Sequence, residues 1–302
     1  MNNATQAKVV SILAALMLFF TYIAFGFTIC ATLPMTTEKL SLMTSDFDNS
    51  PYSKQDLTEL AVEVRNFTVD DYDRGELGFD AAHNALAEKI IDKAHSASQS
   101  DSPTHDRWSE EALEVLKAAN DDPSPATTMQ KLSEAGQQYA LSDEAIDHLN
   151  DVNDVLSRLF LPMLGIAVLA AFCLMASLRY YSYNTAAKSL LYAGLSTLGI
   201  LAILGIWALV SFDSLFSALH SLFFDAGTWT FPANSLLIEM YPIDFWIGMA
   251  LVWLISSCSI ALLSIIFGLL IKRAHKRSVE RKVEHEVQET EVDKTAQAAC
   301  SD

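Results

Sequence analysis

Four runs of the chain, 9–33, 159–178, 189–212 and 245–271, contain no charged side chain and are dominated by apolar positions. They are 25, 20, 24 and 27 residues long. A hydrocarbon core about 30 Å thick takes roughly 20 helical residues to cross, so each run spans a bilayer with modest tilt. This pattern excludes a soluble globular protein and predicts four transmembrane helices. The first run exceeds the roughly 7 to 15 apolar residues of a signal-peptide core and reads as a retained helix. Cys30 lies near its end, but Ile29 stands where lipoprotein processing requires a small residue, so the chain does not read as a lipoprotein itself.

Between the first two runs the apolar spacing is helical. Ser53 with Asp56 three residues on is a capping-box variant, and Leu57, Leu60, Ala61, Val64 and Phe67 follow at helical intervals. Further helical patterns cover 80–94, 109–119 and 126–139, separated by Ser/Pro/Asp-rich joints at 96–104 and 120–125. A last helix starts near Ser142, with Asp143 and Glu144 in the turn where negative charge suits the helix dipole. It continues into the second span, where Pro162 is expected to introduce a kink. Between the third and fourth spans, Phe212, Leu215, Phe216, Leu219 and Phe223 are spaced as an interfacial helix lying in the bilayer surface. Trp229, Phe231, Tyr241 and Trp246 add aromatic anchors at that depth. The fold class is therefore all-α and polytopic, with a mainly helical extracytoplasmic domain.

Charge orients this plan, because Lys and Arg are retained on the cytoplasmic side. Segment 34–157 carries 26 acidic and 9 basic residues, whereas 272–282 holds six basic and one acidic. The expected layout is span 9–33, extracytoplasmic domain 34–157, span 158–178, cytoplasmic loop 179–188, span 189–212, extracytoplasmic interfacial segment 213–244, span 245–271 and cytoplasmic tail 272–302. Both termini are then cytoplasmic. Of the four cysteines, Cys30, Cys173 and Cys258 lie in or beside spans and Cys300 in the tail. The outer domain therefore has neither a disulfide framework nor a thiol nucleophile.

Nucleotide-binding, zinc-protease and serine-hydrolase signatures are absent. The acidic outer face is unsuited to a nucleic-acid backbone. Of the five outer histidines, His83, His95 and His105 are scattered among polar positions, whereas His148 and His220 both fall close to the membrane surface, where a lipid ester lies. Asp151 is one helical turn from His148 and is placed to orient an imidazole. The spacing of His148, Asp151 and His220 is not diagnostic of a metal site.

The segment "FDSLFSALHSLFFDAGTWTFPANSLLIEMYPIDFW" resembles the motif of a bacterial integral membrane family, the lipoprotein intramolecular transacylases. The resemblance runs through Asp213, Phe216, His220, Phe223, Phe224, Gly227, Trp229, Phe231, Leu237, Ile238, Tyr241, Pro242, Phe245 and Trp246. In "LSDEAIDHLNDVNDV", His148, Leu149, Asp151 and Val152 match the family's H-[LM]-x-D-V, 72 residues before His220. Asn153 stands where the family commonly has Lys, and 75–140 looks like an elaboration absent from compact members.

That resemblance implies a bacterial cell-membrane acyltransferase. It would move an acyl chain from the diacylglyceryl group of a lipoprotein to the α-amine of the same N-terminal cysteine, with no cofactor, metal or nucleotide. Diacylglyceryl-modified lipoproteins and membrane lipid are the implied partners. His148 is the expected base, with Asp151 holding its tautomer, and His220 the expected stabiliser of the oxyanion or proton donor to the leaving glycerol oxygen, with exchange of the two roles as the alternative. Phe216, Phe223, Phe224, Trp229, Phe231, Tyr241 and Trp246 are the expected substrate-binding set. The competing expectation is a non-catalytic membrane protein whose outer domain binds a partner protein.

Overall fold

The computed structural model describes residues 3–70, 75–99, 101–119 and 124–299, and among them every regular element is helical. In chain order these are α1 (Asn3–Thr32), α2 (Pro34–Thr44), α3 (Lys54–Val69), α4 (Gly75–Ala97), α5 (Glu110–Ala118), α6 (Pro125–Ala135), α7 (Asp143–Ala176), α8 (Tyr183–Val210), α9 (Phe212–His220), α10 (Leu236–Met240) and α11 (Ile243–Ala299). Helices α1, α7, α8 and α11 contain stretches long and apolar enough to cross a membrane. Their exposed positions are apolar as well: Leu209 is 89% exposed, Val210 81% and Phe172 69%. Water would penalise such a surface, and a lipid phase accepts it.

The chain divides into two compact units. The first comprises Met1–Ala24, Met163–Ala202 and Ser257–Asp302. Lipid tails are as apolar as leucine, so small residues and polar contacts hold its helices together. Ala15, Ala170, Ala193 and Ala261 are buried beside Leu18, Tyr22 and Leu190. A Cβ on Gly194 would lie 2.6 Å from the Ala261 carbonyl oxygen, so this close approach requires glycine. The Tyr22 hydroxyl donates to Ser264 Oγ (2.7 Å), which donates to the Leu190 carbonyl (3.0 Å).

The second unit, Phe25–Pro162 with Ile203–Ser256, carries the candidate chemistry. Helix α3 begins with the expected capping box: Ser53 Oγ accepts from the Asp56 amide, and Asp56 accepts from the Ser53 amide. Its stripe of Leu57, Leu60, Ala61, Val64 and Phe67 shares one buried core with Leu86, Ala87 and Ile90 of α4, Leu116 of α5, Leu132 of α6 and Ile146 of α7. Leu236, Leu237 and Met240 of α10, with Tyr241 and Phe245, enter the same core. Polar contacts fix the join. The Leu236 amide donates to the Gln137 carbonyl (2.8 Å), Ser50 Oγ donates to Glu239 (2.6 Å), and the Tyr241 hydroxyl donates to the Ala61 carbonyl. Residues 236–245 are thereby packed into the same core as α3.

Several local expectations shift. Helix α2 was not anticipated, because its buried face consists of Thr37 and Ser41, which leave no trace in apolar periodicity. Helix α6 stops at Ala135 rather than near Tyr139, and Gln137–Tyr139 form a turn after Gly136. Helix α4 is longer than 80–94 at both ends. Pro162 lies inside the continuous helix α7, as its place in the second span implied. Part of the 120–125 joint, 120–123, and Cys300 lie outside the described residues.

Candidate functional site

The first turns of α7, 143–157, carry Asp143, Glu144, Asp147, Asp151 and Asp154 and precede its apolar stretch. Ala145, Ile146 and Leu149 on this stretch face the core, and Asn153, 1% exposed, ties it to the end of α3 by donating to the Thr68 carbonyl (3.0 Å). These contacts fix His148, which is 8% exposed. Helix α9 starts at the Ser211 cap, whose side chain accepts from the Ser214 amide, and ends at His220. There the ring Nδ1 bonds the Phe216 carbonyl one turn back at 3.0 Å.

The two imidazoles come together with ring centroids 6.4 Å apart and planes 27° from parallel. Aromatic rings surround them. Phe224 lies 4.9 Å from His148 and 5.8 Å from His220, and Phe231 lies 5.7 Å from His148. Phe216 and Trp229 flank His220 at 3.9 and 5.0 Å, and Trp246 backs Phe216 at 5.6 Å.

A carbonyl oxygen only accepts, so the contact with Phe216 assigns the proton of neutral His220 to Nδ1 and leaves Nε2 with a free lone pair. Burial lowers the His220 pKa, and the bond to Phe216 opposes that shift. His148 is pushed down to about 4, first by burial and then by repulsion from His220. Near neutral pH His148 is therefore an uncharged ring, with one N–H to donate and little basicity. Its Nδ1 is buried without a partner, as is Trp229 Nε1. Each such group costs about 1–3 kcal/mol when left unsatisfied.

Residues 104–246 match the family model described as "Lipoprotein intramolecular transacylase Lit". This segment contains both histidines and the whole aromatic surround. Over this segment, just under half of the chain, the sequence is similar to the Lit family. The structure of the lipoprotein intramolecular transacylase Lit from Bacillus cereus superposes with a TM-score of 0.61 at 14% identity, over 91% of this chain and 99% of that one. No curated protein sequence matches.

Not every residue expected from the Lit-family motif reaches the rings. Tyr241 is a core residue, its hydroxyl committed to α3. Phe223 is 52% exposed, and its ring meets Phe224, while its amide donates to the His220 carbonyl (3.0 Å). Asp151 is exposed and forms no hydrogen bond with His148, whose Nδ1 is unpartnered. Burial and the neighbouring Asp147, Asp154 and Asp225 raise its pKa. The group that orients an imidazole here is the Phe216 backbone carbonyl. Its only sequence signal is a histidine four residues after it in the last turn of a short helix. Among the described residues no three His, Cys, Asp or Glu side chains converge as metal ligands would.

Proposed function

We propose that this chain is a lipoprotein intramolecular transacylase of the Lit family, moving an acyl chain from the diacylglyceryl group of a lipoprotein to the α-amine of its N-terminal cysteine. The observation that carries this reading is the contact between His148 and His220 inside an aromatic surround, within the segment that matches the family. In the accompanying topology both termini are cytoplasmic, and segments 34–157 and 213–244 face the other side, where a lipoprotein's lipidated cysteine lies.

The amine and the ester belong to one substrate molecule, so holding them in register supplies much of the rate. Well-oriented intramolecular reactions recover roughly 7–11 kcal/mol of barrier in this way. What remains is proton transfer and charge stabilisation. His220 Nε2, fixed as an acceptor by the Phe216 carbonyl, takes the proton from the attacking amine. A bond forms between the amine nitrogen and the acyl carbon, the ester carbon–oxygen bond breaks, and His220 returns the proton to the glycerol oxygen. Neutral His148 donates its N–H to the oxyanion. The histidine roles are thus exchanged relative to the sequence expectation, because the more buried ring is the poorer base and the better neutral donor. No enzyme nucleophile takes part.

The test is mass spectrometry of the N-terminal lipopeptide of a reporter lipoprotein, expressed with this chain in a host lacking other N-acylating enzymes. The expected product is an N-acylated, S-monoacylglyceryl cysteine of unchanged total mass. A diacylglyceryl cysteine with a free amine, at confirmed membrane abundance, contradicts the proposal and favours the partner-binding alternative.

A further inference from the structure

Trp229 sits two residues after Gly227, whose φ of 94° is the positive-φ backbone that glycine adopts most readily. The turn delivers the indole against His220, at 5.0 Å between centroids, and edge-on to Phe216, at 6.3 Å. A tryptophan serving as an interfacial anchor keeps its ring N–H at the wet, headgroup side. Here Nε1 is buried and has no acceptor. The large majority of buried side-chain polar groups find one; Trp108 Nε1 in the core also lacks one, but Trp229 belongs to the ring set packed on His220, so its donor is the unexplained polar atom of the site beside His148 Nδ1.

We infer that Trp229 is a catalytic residue whose indole N–H donates to the carbonyl oxygen of the migrating acyl group and holds the charge that develops there. The inference rests on the transacylase reading above. An indole is a donor only, so it stabilises an oxyanion without taking part in the proton transfer. As the amine adds, the carbonyl π pair moves onto oxygen. As the ester bond breaks, it returns, and Trp229 keeps its proton throughout. With His148 it gives two uncharged donors packed around the base, in an aromatic surround where hydrogen bonds gain strength from the low dielectric. This also accounts for tryptophan rather than phenylalanine at a position where ring packing alone would be met by either.

The experiment uses the full chain reconstituted in lipid vesicles with a synthetic diacylglyceryl-cysteine lipopeptide. Position 229 carries tryptophan, its sulfur isostere β-(3-benzothienyl)alanine, or phenylalanine. Loss of the N–H in the isostere should lower kcat by about 10²–10³-fold, the cost of removing one oxyanion donor, with KM unchanged. Trp229→Phe, an ordinary substitution lacking the same donor, should lower kcat likewise. Native kcat in either variant, or a loss confined to KM, overturns the inference while leaving the transacylase reading intact. A wild-type protein that leaves the lipopeptide unchanged overturns both.

Discussion

His83 on α4 and the His148–His220 pair share features that burial alone produces. All three rings have pKa values lowered by desolvation, and His83 Nε2 is as unpartnered as His148 Nδ1. They differ in what faces them. His83 has Phe79 at 5.5 Å and the carboxylates of Asp80, Asp143 and Asp147, which favour its protonation. The pair has a second imidazole and aromatic rings, and no carboxylate contributes to the shift of either member. A buried histidine is thus common ground. A base with an assigned lone pair beside a neutral donor is the feature that distinguishes the site.

The strongest way to break that distinction is His220→Phe, which retains a ring but removes the base. It should lower the transfer rate by about 10²–10⁴-fold, the usual contribution of a general base, at normal membrane abundance. His148→Phe removes one donor and should cost about 10²–10³-fold. A larger loss for His148 than for His220 in lipopeptide turnover would return the base role to His148. Gly227→Ala forces a Cβ into the positive-φ region, costing roughly 1–2 kcal/mol, although nothing lies within 4 Å of that Cβ. The expected result is a displaced Trp229 and a rate reduced about tenfold or less, with the α3–α7 core melting as in the wild type.

Glu239 sharpens the comparison from another side, because it is a buried titratable group that is bonded. Ser50 donates to it, and burial nonetheless raises its pKa from 4.5 to about 7. The folded state binds the extra proton, so this group's contribution to stability falls as pH rises from 4.5 through 7. Glu239→Gln should raise stability at pH 8 by about 3 kcal/mol at most, at about 1.4 kcal/mol per pKa unit, and change it little at pH 4. Thermal unfolding at the two pH values checks this. The histidine pair acts in the opposite direction. Its folded pKa values lie below 6.5, so acidification below 6.5 destabilises the fold. The smallest effect is expected of His83→Ala, which should leave lipopeptide turnover at the native rate. A clear loss there would mean that burial, rather than pairing, marks the functional ring.

The spans and the α3 stripe were legible because their cause, apolar spacing, is written in the residues themselves. The Ser53–Asp56 cap is equally local. Helix α2 was hidden because Thr37 and Ser41 supply its buried face. Both histidines were nominated from the sequence, but their approach was not. It depends on α10 entering the α3–α7 core through Leu236, Met240 and Tyr241, a long-range packing event. The absence of a hydrogen bond between Asp151 and His148 has a related reason. Spacing on a helix shows which side chains can meet, whereas a backbone carbonyl that captures an imidazole, as Phe216 captures His220, belongs to any residue and leaves no signature.

The central claim is transfer within one substrate molecule. Its most direct test uses the purified chain in vesicles of unlabelled lipid with a lipopeptide whose two glyceryl acyl chains are isotopically labelled. The account predicts a labelled N-acyl group on a product of unchanged total mass. An unlabelled N-acyl group, with mass gained from the surrounding lipid, would contradict it.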